Sequence, residues 1–399
     1  MSENPGSPTV DGANERDSDV DSTGTALDLE SVLPYLGIAV CYLLTILGGL
    51  ALADEAASMG LLLFENPDSV GNVGVFAALV VGFTIVFVAA VRYDRGMDLI
   101  RLFLVIAFGG LVAAAVVLAT GFGSVFVENP MLAGLPSSPL SVGITLGVAL
   151  ILWVYPEWYV LDIVAVVAGA AAIAMLGISF GPLPIVVLLV VWAAYDAYSV
   201  YVTGHMKDVA AGAGSMKVPM VFVVPTARGY SLRESGLDLG LEDDGGNESE
   251  NGTDEGALET EAEDSSGVSD SDSADANAPE ADVTSETDTP EASDETTPAR
   301  SEQPAMILGL GDALIPGMLA VSAGHFLEGA PTIVPTLNAN APALGALAGG
   351  VVGLGALVVV LHRFEGAHAG LPPLNAGVLG GYLLGAVVAG VPLTTAIGL

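Results

Sequence analysis

Two aspartates lie inside long apolar stretches of the sequence. Asp196 falls within residues 183–202, and Asp312 falls within residues 305–324. Each stretch can cross a bilayer, because a spanning helix needs about 20 apolar residues. A carboxylate in the middle of such a helix costs roughly 2.5–3.5 kcal/mol on insertion scales, so it is rare there without a function. Since the two stretches are neighbours in chain order, we expect the two acids to act together.

The residues beside each aspartate add to this chemistry. Gly309-Leu310-Gly311 precedes Asp312, and its two glycines leave room for a second backbone or for water beside the carboxylate. Tyr195 precedes Asp196 and places a hydroxyl next to it, where the hydroxyl could donate a hydrogen bond or face lipid. In a chain with 50 glycines, a G-x-G pattern alone is a weak signal; next to an intramembrane aspartate it is much stronger.

The composition indicates a membrane protein with two acidic segments. The chain has 399 residues, of which 52% are hydrophobic, and yet its formal net charge is −36. Of its 46 acidic residues, 24 lie between Glu234 and Glu302 and eight precede Ser31. This balance argues against a nucleic-acid partner, because no basic surface is available for phosphates. It fits adaptation to high salt, in which surface carboxylates keep a protein solvated, and an acidic disordered linker explains it equally well.

Nine apolar stretches predict an all-α polytopic membrane protein with nine transmembrane helices. They comprise residues 32–53, 73–91, 99–120, 140–155, 159–176, 183–202, 305–324, 343–361 and 376–393. The predicted organisation is an acidic disordered tail (1–31), helices one to six (32–203), a cytoplasmic loop (204–303) and helices seven to nine (304–399). The polar, acidic start of the chain does not resemble a cleavable signal peptide.

The basic residues predict the orientation of the helices, because Lys and Arg favour cytoplasmic loops. With the N-terminus inside and nine spans, all ten of them fall on the cytoplasmic side: Arg16, Arg92, Arg95, Arg101, Lys207, Lys217, Arg228, Arg233, Arg300 and Arg363. We therefore expect a multi-pass protein of the cell membrane with its N-terminus in the cytoplasm and its C-terminus outside.

In this orientation the two aspartates lie at one depth. Asp196 precedes the cytoplasmic end of its span by seven residues, and Asp312 follows Pro304 by eight. At about 1.5 Å per residue, both lie roughly 10–12 Å below the cytoplasmic surface. Two carboxylates that face each other cannot both ionise cheaply, so the pair holds one proton. One can then act as base on a water while the other acts as acid toward a carbonyl.

Three short motifs carry a resemblance to a known family. Tyr195-Asp196, Gly309-Leu310-Gly311-Asp312 and Pro372-Pro373-Leu374 look like the YD, GxGD and PAL motifs of the presenilin and signal peptide peptidase family of intramembrane aspartyl proteases. They occur in the family's order at spans six, seven and nine. The nine-span count and the large loop after span six extend the resemblance to the whole chain. One residue departs from the pattern, since Pro373 stands where the family has alanine.

The resemblance implies that Asp196 and Asp312 are catalytic and cleave peptide bonds within transmembrane helices in the lipid bilayer. It also implies that the segment Pro372-Pro373-Leu374 shapes the site and binds substrate. No cofactor is expected, because water and two carboxylates suffice. A cytoplasmic N-terminus is similar to presenilin, which implies substrates with their N-terminus outside. The acidic composition adds the expectation of an archaeal homologue from a halophile, and a homo-oligomer is compatible with this interpretation.

Two further features predict how a substrate would be held. Proline lacks an N–H and disrupts helix continuation, so Pro372 and Pro373 leave carbonyls unpaired that could meet an unwound substrate, unless they only start a helix. Residues 218–225 (VPMVFVVP) predict a short strand near the membrane, whereas residues 234–303 predict a disordered acidic linker. The strand edge at Val221 and Val223 could pair with an unfolded stretch of substrate.

Two other functions use the same features. An ion- or proton-coupled transporter also has embedded carboxylates and glycine-interrupted helices, although its expected inverted repeats are not evident. A membrane scaffold that recruits partners through the acidic loop would leave the matched aspartates unexplained.

The remaining polar residues predict no further site. Asp162, about one turn inside span five, is interpreted as solvated at the interface or as a helix N-terminal partner. His325, His362 and His368 show no metal-ligand spacing. The single cysteine, Cys41, excludes an internal disulfide and any cysteine-based metal site.

Overall fold

The computed structural model describes residues 29–91, 96–122, 138–198, 218–226, 229–235, 305–327, 329–363 and 371–399. Residues 1–28 of the predicted N-terminal tail, residues 236–303 of the predicted acidic linker and His368 lie outside the described residues. The last residues of the predicted tail, from Leu29, belong to the first helix.

Nine long helices occur in the described part of the chain, and each overlaps one of the predicted apolar stretches. They are α1 (Leu29–Ser58), α2 (Gly71–Val91), α3 (Gly96–Thr120), α4 (Pro139–Val154), α5 (Trp158–Ser179), α6 (Pro182–Tyr198), α7 (Leu310–Phe326), α8 (Ala341–Arg363) and α9 (Leu371–Val388). Two short pieces, Leu232–Ser235 and Leu393–Ile397, are also helical. The fold is thus mostly helical.

Five of these helices contain a segment that is long and apolar enough to cross a membrane. The segments are Leu33–Ser58, Asp98–Thr120, Trp158–Ser179, Ala341–Val360 and Leu371–Val388. Three further apolar helical segments are shorter: Gly71–Phe87, Pro139–Val154 and Pro182–Tyr198.

Four short strands accompany the helices, and the first of them lies within residues 218–225, where the sequence predicts a strand. Strand β1 (Val221–Pro225) pairs antiparallel with β2 (Ala305–Gly309), with Val221 opposite Gly309 and Pro225 opposite Ala305. Strands β3 (Thr332–Val334) and β4 (Ala339–Asn340) form a hairpin around a 3-10 turn at Pro335–Leu337. Residues 305–324 were predicted to be helical throughout, and this was wrong at their start, because Ala305–Gly309 pairs with a strand.

Helix α7 lies at the centre of the bundle. It contacts α1, α5, α6, α8 and α9, and nearly all of its residues from Ala313 to Ala323 are buried. Small residues permit this close packing: a Cβ added to Gly317 would lie 2.6 Å from a methyl carbon of Ile173. The middle of α7 is therefore surrounded by other helices, whereas at its start Asp312 is half-buried and Gly311 is exposed.

Helices α8 and α9 pack along a glycine seam, which consists of Gly345, Gly349, Gly353, Gly377, Gly381 and Gly385. A Cβ added to any of these six would meet the backbone of the opposite helix within 3 Å. Small residues four apart let two helices approach closely in lipid, and these glycines permit that approach between α8 and α9. Helix α9 begins at Leu371, five residues before the predicted span, and so it includes Pro372-Pro373-Leu374. The seam holds this segment in place, because Gly353 of α8 packs against the backbone of Pro373 and Leu374.

Candidate active site

Asp312 lies in the first turn of α7 rather than in the middle of a helix. Gly309 is the N-cap of α7, so Asp312 is the third helical residue. The backbone N–H of Gly309 donates to the Asp312 carboxylate, which is the contact that an acidic side chain at this position makes with the N-cap. The positive end of the helix dipole is also here. The helix start therefore stabilises a carboxylate that mid-helix burial would leave without a partner.

Strand β2 brings the chain to this helix start. The ladder with β1 continues beyond the strand, since the N–H of Leu310 donates to the carbonyl of Met220 at 2.9 Å. A Cβ added to Gly309 would lie 3.1 Å from Asp312 Oδ2, whereas one added to Gly311 would meet no atom of the described residues within 4 Å. The space beside Gly309 is thus taken by the carboxylate of Asp312. The space beside Gly311 is open among the described residues.

Asp196 lies near the end of α6, with 8% of its surface exposed. Its Oδ2 accepts a hydrogen bond from the backbone N–H of Leu371 at 3.1 Å. Since Leu371 is the first residue of α9, Asp196 lies at a helix N-terminus, where unpaired N–H groups and the helix dipole favour negative charge.

The two carboxyl groups lie on neighbouring helices, close enough for the charge of one to act on the other. Helices α6 and α7 contact each other, and Asp196 interacts electrostatically with Asp312. Each carboxylate is held by a backbone N–H at a helix start: α9 for Asp196 and α7 for Asp312. Two acids in mutual electrostatic range can share a proton and act on one water as base and acid.

The segment Pro372-Pro373-Leu374 forms the first turn of α9 beside Asp196. Proline loses nothing there, because the first N–H groups of a helix have no intrahelical acceptor. A Cβ added to Gly353 of α8 would lie 2.9 Å from the carbonyl oxygens of both Pro373 and Leu374. These two carbonyls therefore face α8. The carbonyls that the missing N–H groups of Pro372 and Pro373 would leave unpaired, four residues earlier, lie outside the described residues, so the expectation that they meet a substrate stays a prediction. The group next to Asp196 is the N–H of Leu371.

Tyr195 takes the second of the two orientations predicted for it. Its side chain is 51% exposed on the outer surface of the bundle and its ring lies 6.3 Å from that of Trp192, centroid to centroid. Because successive residues of a helix point about 100° apart, the burial of Asp196 turns its neighbour outward.

Of the two predicted strand residues, Val221 is half-buried and Val223 is enclosed. Val223 is fully buried, and its N–H donates to Oδ1 of Asp162 at 2.8 Å. Strand β1 also contacts α1 and α5, and α1 contacts β2 as well. In the described part of the chain no third strand lies beside β2. Among the described strands, the edge of β2 opposite β1 is therefore unpaired, whereas on β1 the N–H of Val223 is already bonded to Asp162.

Two residues near the site had no assigned role in the sequence. Asp162 is 7% exposed and accepts a hydrogen bond from β1, and so it is not solvated at an interface. The sequence feature that could have marked it as a buried partner is its position inside a predicted span. Asn375 is buried in α9 and its amide donates to the carbonyl of Leu189 in α6 at 3.0 Å. No sequence pattern marked this bond, because its acceptor is a backbone group.

The described residues contain no group of three or more His, Cys, Asp or Glu side chains that could hold a metal ion. Of the histidines, His325 has its ring against that of Phe326.

Comparison with known proteins identifies the family of the chain. The family model of signal-peptide peptidase, presenilin aspartyl protease matches residues 39–391. Two solved structures of a presenilin family intramembrane aspartate protease, in space groups C222 and P2, are 25% and 26% identical to the chain. Both have a TM-score of 0.51 and cover 90% of this chain, with 100% and 99% of their own chains matched. None of the curated proteins compared with the chain matches it. Because the family model spans most of the sequence, the chain belongs to the family of signal peptide peptidases and presenilin aspartyl proteases.

Proposed function

We propose that the protein is an intramembrane aspartyl endopeptidase of the GxGD type that hydrolyses peptide bonds within transmembrane helices, with Asp196 and Asp312 as its catalytic pair. The observation that supports this proposal is the position of the two carboxyl groups on the contacting helices α6 and α7, each with a backbone N–H at a helix start. The comparisons give no support to the transporter alternative.

In this mechanism the pair shares a single proton. The ionised carboxylate takes a proton from a water molecule, and the water oxygen attacks the scissile carbonyl carbon. The protonated carboxyl donates its proton to the carbonyl oxygen as the tetrahedral intermediate forms. The carboxyl that took the proton from water then gives it to the amide nitrogen, the C–N bond breaks and the amine leaves. The other carboxylate takes back the hydroxyl proton as the new carboxylic acid forms, which restores the single shared proton. The N–H groups of Gly309 and Leu371 hold the two carboxyl groups in place while their protonation states exchange.

The open edge of β2 is the part of the site best suited to hold substrate. A helical peptide bond is shielded by its own turn, so a substrate helix must unwind before it is cut. An unwound segment could pair with β2 as an added strand, which would satisfy its backbone groups in an apolar setting. Because β2 leads directly into Gly309 and Asp312, such a segment would run toward the carboxylates. This proposal moves the substrate strand from Val221 and Val223 to the neighbouring strand.

We further propose that all nine long helices cross the cell membrane, with the N-terminus inside and the C-terminus outside. Five helices have the length and composition for this, and three shorter apolar helices flank them in the bundle. The distribution of the ten Lys and Arg residues supports the orientation. Substrates would then have their N-terminus outside.

The test uses purified full-length protein in detergent or lipid with a tagged transmembrane peptide. We expect Asp196→Ala and Asp312→Ala each to abolish cleavage, because neither carboxylate alone can serve as both acid and base. Glu65→Gln, which changes an exposed acid between α1 and α2, is the control and should cleave normally. Thermal unfolding of each variant checks that the fold persists. Cleavage that survives either aspartate substitution would rule out the pair.

A further inference from the structure

Asp162 is a buried carboxylate that the proposed mechanism does not use. It lies on α5, one turn from the helix start, and its Oδ1 accepts the N–H of Val223 in β1. The donor residue is fully buried, and so water does not compete for its N–H. An N–H in such surroundings is costly to leave without an acceptor, so this bond holds β1 firmly against α5.

The sheet itself is too small to fix its own position. A two-stranded ribbon is at best marginally stable alone, and the paired residues Pro225 and Ala305 are 80 positions apart in the chain, so no tight turn joins the strands. The sheet therefore depends on its contacts with helices. Among the described side chains, Asp162 provides a hydrogen bond from a helix to the edge of β1.

The same sheet ends at the catalytic pair. Val221 lies opposite Gly309, and Met220 accepts the N–H of Leu310. Gly309 in turn donates to Asp312. A continuous series of backbone contacts thus leads from Asp162 through β1 and β2 to the carboxylate of Asp312.

We propose that Asp162 is a positioning residue for proteolysis: by accepting the N–H of Val223 it fixes the β1–β2 sheet on α5, and so sets both the position of Asp312 and the peptide bond that a strand on β2 presents. This inference rests on the proposed protease function. It requires an oxygen acceptor at position 162 and does not require a charge there.

The experiment compares Asp162→Asn with Asp162→Leu on one transmembrane peptide. The asparagine keeps an oxygen acceptor, and we expect its kcat to stay within about threefold of wild type. The leucine keeps the bulk and removes the acceptor. We expect it to lower kcat by about tenfold or more, with a smaller change in KM, because the lost bond holds catalytic geometry. Mass spectrometry of the products should also show cleavage spread over neighbouring peptide bonds.

Ser179→Ala is the matched control. Ser179 lies at the other end of α5 and likewise accepts a backbone N–H, that of Leu63 at 2.9 Å. Its loss should lower the unfolding temperature and leave both kcat and the cleavage position unchanged. If Asp162→Leu fails to fold, Val223→Pro removes the donor instead, and it spares the β1–β2 ladder because this N–H points away from β2.

The outcomes separate this inference from the proposed function. Wild-type protein that cleaves nothing would count against the protease itself. Active wild type with normal kcat and cleavage position in Asp162→Leu or Val223→Pro would overturn the inference alone. The inference would also be overturned if Asp162→Asn lowered kcat as much as Asp162→Leu, because the property that matters would then be the charge of Asp162.

Discussion

The two aspartates are stabilised in the apolar bundle by the same kind of hydrogen bond. A carboxylate in an apolar bundle is expensive, and here each receives a backbone N–H from a helix start, Asp312 from Gly309 and Asp196 from Leu371. The sequence predicted both acids, because their residue type is rare in apolar stretches. It could not predict their partners, since a backbone N–H is common to almost every residue and only the fold selects one. The same reason hid the bond between Asp162 and Val223.

Gly309→Ala tests how closely Asp312 must be held. The backbone at this position has φ −61° and ψ 134°, which alanine adopts without strain. The added methyl group would press on Asp312 Oδ2 from 3.1 Å and displace it. We expect kcat to fall about tenfold, as for the loss of roughly 1.4 kcal/mol of transition-state stabilisation, with little change in unfolding temperature. Gly355→Ala, where the added carbon meets open space among the described residues, is the control; equal kcat in the two variants would contradict the prediction.

At the scale of elements, the main difference between expectation and structure is the change from strand to helix at Gly309. Residues 305–324 form one apolar run, and periodicity cannot distinguish a short apolar strand from a helix turn. The pairing partner, β1, lies far away in sequence, so the strand is a tertiary feature. The remaining eight helices follow the predicted stretches to within a few residues, because long apolar runs specify helices strongly.

The open edge of β2 gives a prediction of its own. Gly309 directs its N–H away from β1 toward Asp312, so the N–H of Ile307, two residues earlier, points to the same open side. Ile307→Pro removes this donor and leaves the ladder with β1 intact. We expect KM to rise up to about tenfold, the worth of one hydrogen bond, with a smaller change in kcat. Ile307→Val keeps the N–H and should bind substrate normally; an unchanged KM in Ile307→Pro would argue against strand pairing.

The glycine seam predicts a sharp contrast between two adjacent positions. A Cβ at Gly381 would meet the backbone of Gly345 and Gly349, whereas one at Gly380 meets open space among the described residues. We expect Gly381→Ala to cost about 1–3 kcal/mol by forcing α8 and α9 apart. Gly380→Ala should be neutral or slightly stabilising, because alanine favours helix over glycine. Unfolding temperatures in one detergent make the comparison, and equal values would contradict it.

At the scale of the whole molecule, the chain divides into two units. The described residues all belong to one compact unit, which excludes Glu242–Glu302. That segment is inserted between the two strands of a sheet whose ends, Pro225 and Ala305, are paired. Its charge accounts for much of the net charge of −36, and we interpret it as a solvating feature suited to high salt.

Replacing Glu242–Glu302 by about ten Gly and Ser residues should therefore preserve cleavage. Shortening the connection between β1 and β2 lowers the entropy cost of closing it, which we expect to stabilise the sheet by about 1 kcal/mol. A segment of unchanged length with its acids replaced by Ser and Asn separates the effect of length from that of charge. The measurements are cleavage rate and unfolding temperature at low and high salt. A folded but inactive deletion would assign the segment a direct part in proteolysis.

The bond from Leu371 to Asp196 also bears on how such a protease is made. Asp196 is synthesised with the sixth helix, but the N–H that holds its carboxylate comes from α9, the last long helix to leave the ribosome. A chain that ends before Leu371 therefore lacks this hydrogen bond to Asp196. For the proposed protease, we expect cleavage only after α9 has packed beside α6.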